Sequence, residues 1–306
     1  MTNRPQPPHE PHPNHDRGLE FDLSTLMSRR SLGMFLGAGT AAALAACTPG
    51  GTSGSSTSAP AAATSAAAAP ATATTSAAAA ASASSSATPA LTRAIAECGI
   101  EIPQETAGPY PGDGSNGPNV LEASGVVRQD MTSSFGTSTS TAEGIPLTVT
   151  LTLLDNANGC TPLAGAAVYA WHCDREGRYS MYDSGLQNEN YLRGVQEADA
   201  NGQVTFTTIY PGAYSGRWPH IHFEVFESMN KATAAGQVLA VSQIALTEAA
   251  CKEVYASAGY ESSAQNFPRT TLKSDNVFGN DGGIYQLATM SGSVAAGYAA
   301  GLNVTV

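Results

Sequence analysis

Charged residues are scarce in this chain of 306 residues, at 13% of the total. They lean acidic, with 14 Lys and Arg against 25 Asp and Glu. The first 92 residues hold four arginines and four acidic residues, which cancel. The whole excess of 11 negative charges therefore falls on residues 93–306. A nucleic-acid partner needs a basic footprint, and this balance excludes one. The apolar run Gly33–Ala46 is too short and too rich in Ala and Gly to suit a transmembrane span. No C-x-x-C occurs among the five cysteines, which argues against a thiolate metal site. Internal repeats are also missing. Histidine is sparse where it matters, because only His172, His220 and His222 fall within residues 93–306.

What is present divides the chain into three parts. Residues 1–47 read as an export leader. His9, His12 and His15 sit in its polar start, where a solvated, cleaved segment explains them better than a metal site. Ser28-Arg29-Arg30-Ser31-Leu32 precedes the apolar run, the pattern of a twin-arginine signal. Leu44-Ala45-Ala46-Cys47 ends it and resembles a bacterial lipobox, in which Cys47 would carry lipid and anchor the protein at the outer face of a membrane. Residues 48–92 are almost wholly Ala, Ser, Thr, Gly and Pro. Such a segment cannot bury enough apolar surface to offset its conformational entropy and reads as a flexible, disordered linker. Residues 93–306 are long enough for one domain with a substantial core.

That domain reads as mainly β. Leu147, Val149, Leu151 and Leu153 alternate with Thr148, Thr150 and Thr152, the period of a half-buried strand. Further strands are expected at Ala166–His172, Gln203–Ile209, His220–Phe226 and Val238–Leu246. Asn-, Asp- and Gly-rich turns and Pro211-Gly212 separate them, and such a series of short strands predicts a β-sandwich. Thr247–Ser257 predicts a short helix, with Thr247 as N-cap but no acid or amide at Ala250 to complete a capping box. Residues 261–306 give no clear pattern. With Cys47 assigned to lipid, Cys98, Cys160, Cys173 and Cys251 predict two disulfides in any of three pairings.

The chemistry gathers around Tyr210-Pro211-Gly212-Ala213-Tyr214-Ser215-Gly216-Arg217-Trp218-Pro219-His220-Ile221-His222. On a strand, residues i and i+2 share a face, so His220 and His222 converge while Ile221, Phe223 and Val225 turn to the core. Alone, a His-x-His is more often a polar strand face than a metal site. Upstream, Trp171 leads through a turn to Gly177-Arg178-Tyr179. Gly-Arg-Tyr after a Trp-containing strand, then Pro-Gly-x-Tyr, then Arg-x-x-His-x-His, resembles the intradiol ring-cleavage dioxygenases, the group of catechol and protocatechuate dioxygenases. The likeness extends over most of residues 98–290.

The resemblance implies an antiparallel β-sandwich of the intradiol dioxygenase type with few short helices. It implies a mononuclear non-haem Fe(III) held by Tyr179, Tyr214, His220 and His222. Two phenolates are hard anionic donors that favour the ferric state over the ferrous state of a two-His-one-carboxylate site. Arg217 would stabilise developing negative charge, and Tyr214 would leave the metal to take a proton from the substrate. The partners implied are O2 and a catechol-type aromatic diol, cleaved to a muconic acid-type product. Gln104-Glu105-Thr106-Ala107-Gly108-Pro109-Tyr110 is similar to the family's pocket stretch, which makes Thr106, Pro109 and Tyr110 substrate-binding candidates, with Gln243 and Arg217 beside them. Ala107 stands where the family often has an acid, and no helical dimerisation segment precedes the domain, so neither the particular catechol nor the oligomeric state is fixed. His172 lies outside the pattern and reads as structural, and Arg193-Gly194 and Arg128-x-Asp130 resemble family positions without an assigned role. The competing reading is a catalytically inactive cell-surface β-sandwich binding module. The full donor set with Arg217 argues against it.

Overall fold

The computed structural model describes residues 99–306 apart from Ala235. The leader read at residues 1–47, with Arg29, Arg30 and Cys47, lies outside the described residues, as do the linker read at 48–92 and Cys98.

Alternating burial builds the first sheet. In β1 (Pro146–Asp155), Leu147, Val149, Leu151 and Leu153 are buried and the intervening threonines face outward. β2 (Thr161–Pro162) and β5 (Gln203–Ile209) pair antiparallel with β1. On the other side of β1 lies β9 (Gly297–Thr305), itself antiparallel to β8 (Thr289–Ser293). β1 and β9 run parallel, so this sheet is mixed where an antiparallel one was expected. Parallel neighbours need a long connection, and most of the domain lies between these two strands.

The second sheet is antiparallel throughout, in the order β4 (Arg193–Glu197), β3 (Ala167–Trp171), β6 (His220–Phe226), β7 (Val238–Ala245). One buried cluster holds Leu151, Phe206 and Val304 from the first sheet with Val168, Phe223 and Ile244 from the second. That shared core makes the sandwich, and each such side chain stabilises it by about 1.5–3 kcal/mol. A second cluster covers the outer face of the second sheet, where Tyr169, Trp171 and Phe226 pack with Val120, Leu121 and Val126. Every residue of β6 is consequently buried. Polar side chains on this strand must find partners inside the protein.

Short helices complete the fold: α1 (Met229–Ala232), α2 (Glu248–Tyr255) and α3 (Glu261–Asn266). Thr247 holds extended backbone at the start of α2, but its hydroxyl is buried without a partner rather than capping the helix. Among the described residues no helix is long and apolar enough to cross a membrane.

The expectation of two disulfides is corrected. Cys160 is disulfide-bonded, while Cys173 and Cys251 are free thiols buried in separate clusters. Cys173 Sγ donates to the Gly212 carbonyl at 3.4 Å, and Cys251 Sγ lies 3.2 Å from Tyr210 Oη on the other side of the sheet. Burial pushes the Cys251 thiol up to about 12, so both behave as small core residues rather than crosslinks.

Candidate metal centre

The strand face expected from the sequence is formed. His220 and His222 project to the same side of β6, opposite Ile221, Phe223 and Val225 in the core. His222 is the register partner of Trp171 on β3, and the two rings stack with centroids 4.9 Å apart at 8°. This stack fixes the imidazole plane. His220 Nδ1 donates to the Trp218 carbonyl at 2.5 Å, which leaves Nε2 as an unprotonated acceptor. The two Nε2 atoms lie 3.1 Å apart.

Two glycines bring the tyrosines to them. Gly212 lets the 210–214 segment approach the turn at 174–178 so closely that an added Cβ would sit 2.5 Å from the Arg175 carbonyl oxygen. Gly177, at φ +84°, allows that turn to close against Tyr214. The results are a 3.2 Å contact from Tyr214 Oη to His220 Nε2 and a 3.4 Å contact from Tyr214 Oη to Tyr179 Oη. Asp183 accepts from the Tyr179 N–H at 2.6 Å and anchors that residue's backbone.

Two imidazole nitrogens and two phenol oxygens thus converge in a buried pocket of the fold. Burial, aided by the Arg217 charge, pushes His220 down to about 3, and burial followed by its neighbour His220 holds His222 well below the usual range. Both imidazoles are neutral. Burial, with Tyr214 beside it, raises Tyr179 well above 10, so the free phenol is protonated. A bound cation reverses that preference. His222 Nδ1 is buried without a partner. Lone pairs facing each other at 3.1 Å are unfavourable unless a proton or a cation sits between them, and the mixed N and phenolate-O set suits a hard trivalent ion. Among the described residues no group of three or more His, Cys, Asp or Glu is placed to hold a metal, and the oxygen atoms nearest the two imidazole nitrogens are those of the tyrosines.

Arg217 is buried beside this cluster. Its Nη2 donates to Gln243 Oε1 at 2.6 Å and its Nε to Asp275 Oδ2 at 3.0 Å. Gln243, on β7, is fully buried, and its Nε2 donates to the Thr106 carbonyl at 2.9 Å. Both ends of that amide are therefore engaged by protein. The hydroxyl of Thr106 accepts from the Gly108 N–H at 3.0 Å, and the Pro109 carbonyl accepts from Asn116 at 2.7 Å. Tyr110 packs on Tyr179 with centroids 5.0 Å apart. A cavity of about 280 Å³ opens against Tyr110, Tyr179 and Tyr214, with Arg178, Asp183 and Asn266 also in its wall. Of the expected substrate-binding residues only Tyr110 reaches this cavity. Thr106, Pro109, Gln243 and Arg217 do not line it.

His172 stands apart, as expected. Its Nδ1 meets the Cys173 carbonyl at 2.8 Å and its Nε2 meets the Thr208 hydroxyl at 2.7 Å. Trp218 packs rather than lining the cavity, with Nε1 donating to Leu246 O at 2.8 Å and its ring 5.0 Å from Phe267. Two residues acquire roles the sequence did not assign. Arg193 is fully buried and donates to the carbonyls of Tyr110, Pro111 and Ser180, clamping the 106–112 loop to β4. Arg128 similarly binds the carbonyls of Ser133, Asn190 and Arg193. Asp275 escaped notice because it lies in the patternless tail. Only the burial of Arg217 signals that some carboxylate must face it.

Fold and site define a class: a β-sandwich with a buried two-histidine, two-tyrosine donor set and an arginine beside it. Residues 116–238 match the dioxygenase family, Dioxygenase_C. An intradiol ring-cleavage dioxygenase from Tetranychus urticae is 28% identical over 59% of this chain and 86% of that one, with a TM-score of 0.50. The dioxygenase domain of a carbohydrate-binding fusion protein from Streptomyces sp. SirexAA-E is 22% identical over 67% of this chain and 97% of that one, at 0.44. Catechol 1,2-dioxygenase from Pseudomonas arvilla C-1 is 19% identical over 57% and 54%, at 0.38. The family match thus covers residues 116–238, and the fold is that of the intradiol ring-cleavage dioxygenases.

Proposed function

We propose that the protein cleaves a catechol-type aromatic diol with O2 at a non-haem Fe(III), held by Tyr179, Tyr214, His220 and His222, to give a muconic acid-type product. The observation that carries this is the forced lone pair on buried His220 Nε2, which faces His222 Nε2 and Tyr214 Oη within 3.2 Å. When bound, ferric iron would draw electron density from the diol and make its ring reactive toward O2. The protein does the rest. Trp171 and the Trp218 carbonyl orient the two imidazoles. Tyr214 is only half-buried and abuts the cavity, so its Oη is placed to accept a proton from an incoming diol. Arg217 keeps a positive charge beside the reacting centre, where exclusion of water strengthens it. Tyr110 and Tyr179 offer aromatic faces to a planar ring.

Purified, iron-supplemented protein should show a red-brown phenolate charge-transfer band, one iron per chain, and O2 uptake with catechol. Tyr214→Phe should shift the band. Colourless, iron-free protein after iron-rich expression would sink the proposal. Residues 1–47 further support export by the twin-arginine route and a lipid anchor at Cys47. Cys47→Ser should release the protein from the membrane fraction, and an unchanged distribution would refute the anchor.

A further inference from the structure

We infer that Asp275 is the residue that orients Arg217 for ring cleavage, and that through the Trp218 peptide it also holds His220 in register with that arginine. This rests on the functional reading of Arg217 above. Asp275 lies 58 residues from Arg217 in sequence, outside every motif that marks the site, yet it is 2% exposed. Its Oδ2 accepts from Arg217 Nε at 3.0 Å and from the Trp218 N–H at 2.6 Å. Its Oδ1 accepts from the N–H groups of Val277 and Phe278 at 2.8 and 3.1 Å. Both oxygens are thus pinned by backbone, which makes the carboxylate a rigid post rather than a mobile counter-ion.

The second link runs through Trp218. Its N–H is fixed by Asp275 and its carbonyl fixes His220 Nδ1. Phe278, bound through its N–H to the same carboxylate, lies edge-on to the His220 ring at 6.5 Å. One carboxylate therefore sets the guanidinium and a ligand imidazole relative to each other. Gln243 supplies the other grip on the guanidinium, from β7. An arginine that stabilises developing charge must be held before the charge appears, because reorientation during the reaction would cancel the benefit. A long flexible side chain does not hold itself. A displacement of about 1 Å can cost on the order of 100-fold in rate.

The test uses the iron-loaded full chain with catechol and O2 uptake as the readout, and compares Asp275→Asn, Arg217→Ala and the double variant. Asp275→Asn should lower kcat by about 10- to 100-fold while KM stays within about threefold. Iron content and the visible band should be retained. Added to Arg217→Ala, it should cost much less than it does alone, since the guanidinium it orients is gone and only its hold on His220 through Trp218 remains. Losses that multiply in the double variant would overturn the inference and leave the role of Arg217 standing. Full kcat in Arg217→Ala would overturn both. Arg217→Lys tests the same idea with Asp275 and its backbone partners intact, because lysine keeps the charge but has no Nε–H edge. Its kcat should fall nearly as far as that of Arg217→Ala, and near-normal turnover would overturn the inference even if Asp275→Asn does not fold.

Discussion

Replacing Gly212 by alanine tests whether the close approach of two backbone segments builds the site. The new Cβ would lie 2.5 Å from the Arg175 carbonyl oxygen and 2.8 Å from both the Arg175 carbonyl carbon and the Asp174 carbonyl oxygen. All three are backbone atoms and cannot swing aside. To regain ordinary C···O contact the segments must part by roughly 0.8 Å. That separation also strains the bond from the Gly212 N–H to the Asp174 carbonyl, now 3.0 Å. Overpacking of this kind costs about 1–3 kcal/mol. For a domain of this size the melting temperature should fall by about 2–12 °C. The functional effect is larger than the stability loss suggests. Tyr214 follows Gly212 by two residues and Tyr179 follows Arg175 by four, so the parting opens the 3.4 Å contact between their hydroxyls. Turnover should drop by on the order of 100-fold. Gly159→Ala is the control. Gly159 has φ +69° with open space around its missing Cβ, so alanine costs about 1–2 kcal/mol there through backbone strain alone. Thermal melts, the visible spectrum and O2 uptake on both variants decide the matter. If Gly212→Ala loses stability like the control but keeps its band and kcat, the glycine does not position the tyrosines and the reasoning fails.

Two further outcomes are expected. Burial raises the Glu105 carboxyl from 4.5 to about 8, against the opposing effects of the Gln286 hydrogen bond and the Arg217 charge. Between those pH values the native state holds a proton that the unfolded chain has lost, so stability falls as pH rises through the window, by up to about 1.4 kcal/mol per unit. Glu105→Gln should flatten denaturant midpoints between about pH 4.5 and 8, and an unchanged slope would contradict the assignment. Arg193→Met leaves the carbonyls of Tyr110, Pro111 and Ser180 without their donor, and should destabilise the fold by at least about 3 kcal/mol in chemical denaturation. It should also expose the 106–112 loop to limited proteolysis, and a loop that stays resistant would show that the clamp is dispensable.

Much of the frame was legible. The leucines and valines of β1 alternate with threonines, and the observed strand keeps those faces. The bounds of β5 and β6 matched the apolar patterns because each is flanked by turn residues. β9 was missed although Tyr298, Ala300, Leu302 and Val304 alternate inward, because its glycines and alanines carry little strand propensity. β4 was missed because Arg193 and Gly194 open it, and a fully buried arginine in a strand looks polar until its carbonyl partners are known. The two-disulfide expectation failed at Cys173 and Cys251, since spacing does not say which thiols share a neighbourhood.

The sequence by itself determined the donor types and their local order. Two histidines at i and i+2 on a strand must share a face whatever lies beyond it, because side-chain direction follows backbone period. It likewise placed a glycine before each tyrosine. Only the tertiary structure decided that Tyr214 meets both His220 and Tyr179 within hydrogen-bonding distance, that Gln243 turns both ends of its amide to protein, and that Asp275 is the carboxylate facing Arg217. Apart from Tyr214 with His220, those contacts join residues 26 or more positions apart. Their geometry comes from sheet packing and backbone approach, which no local pattern encodes.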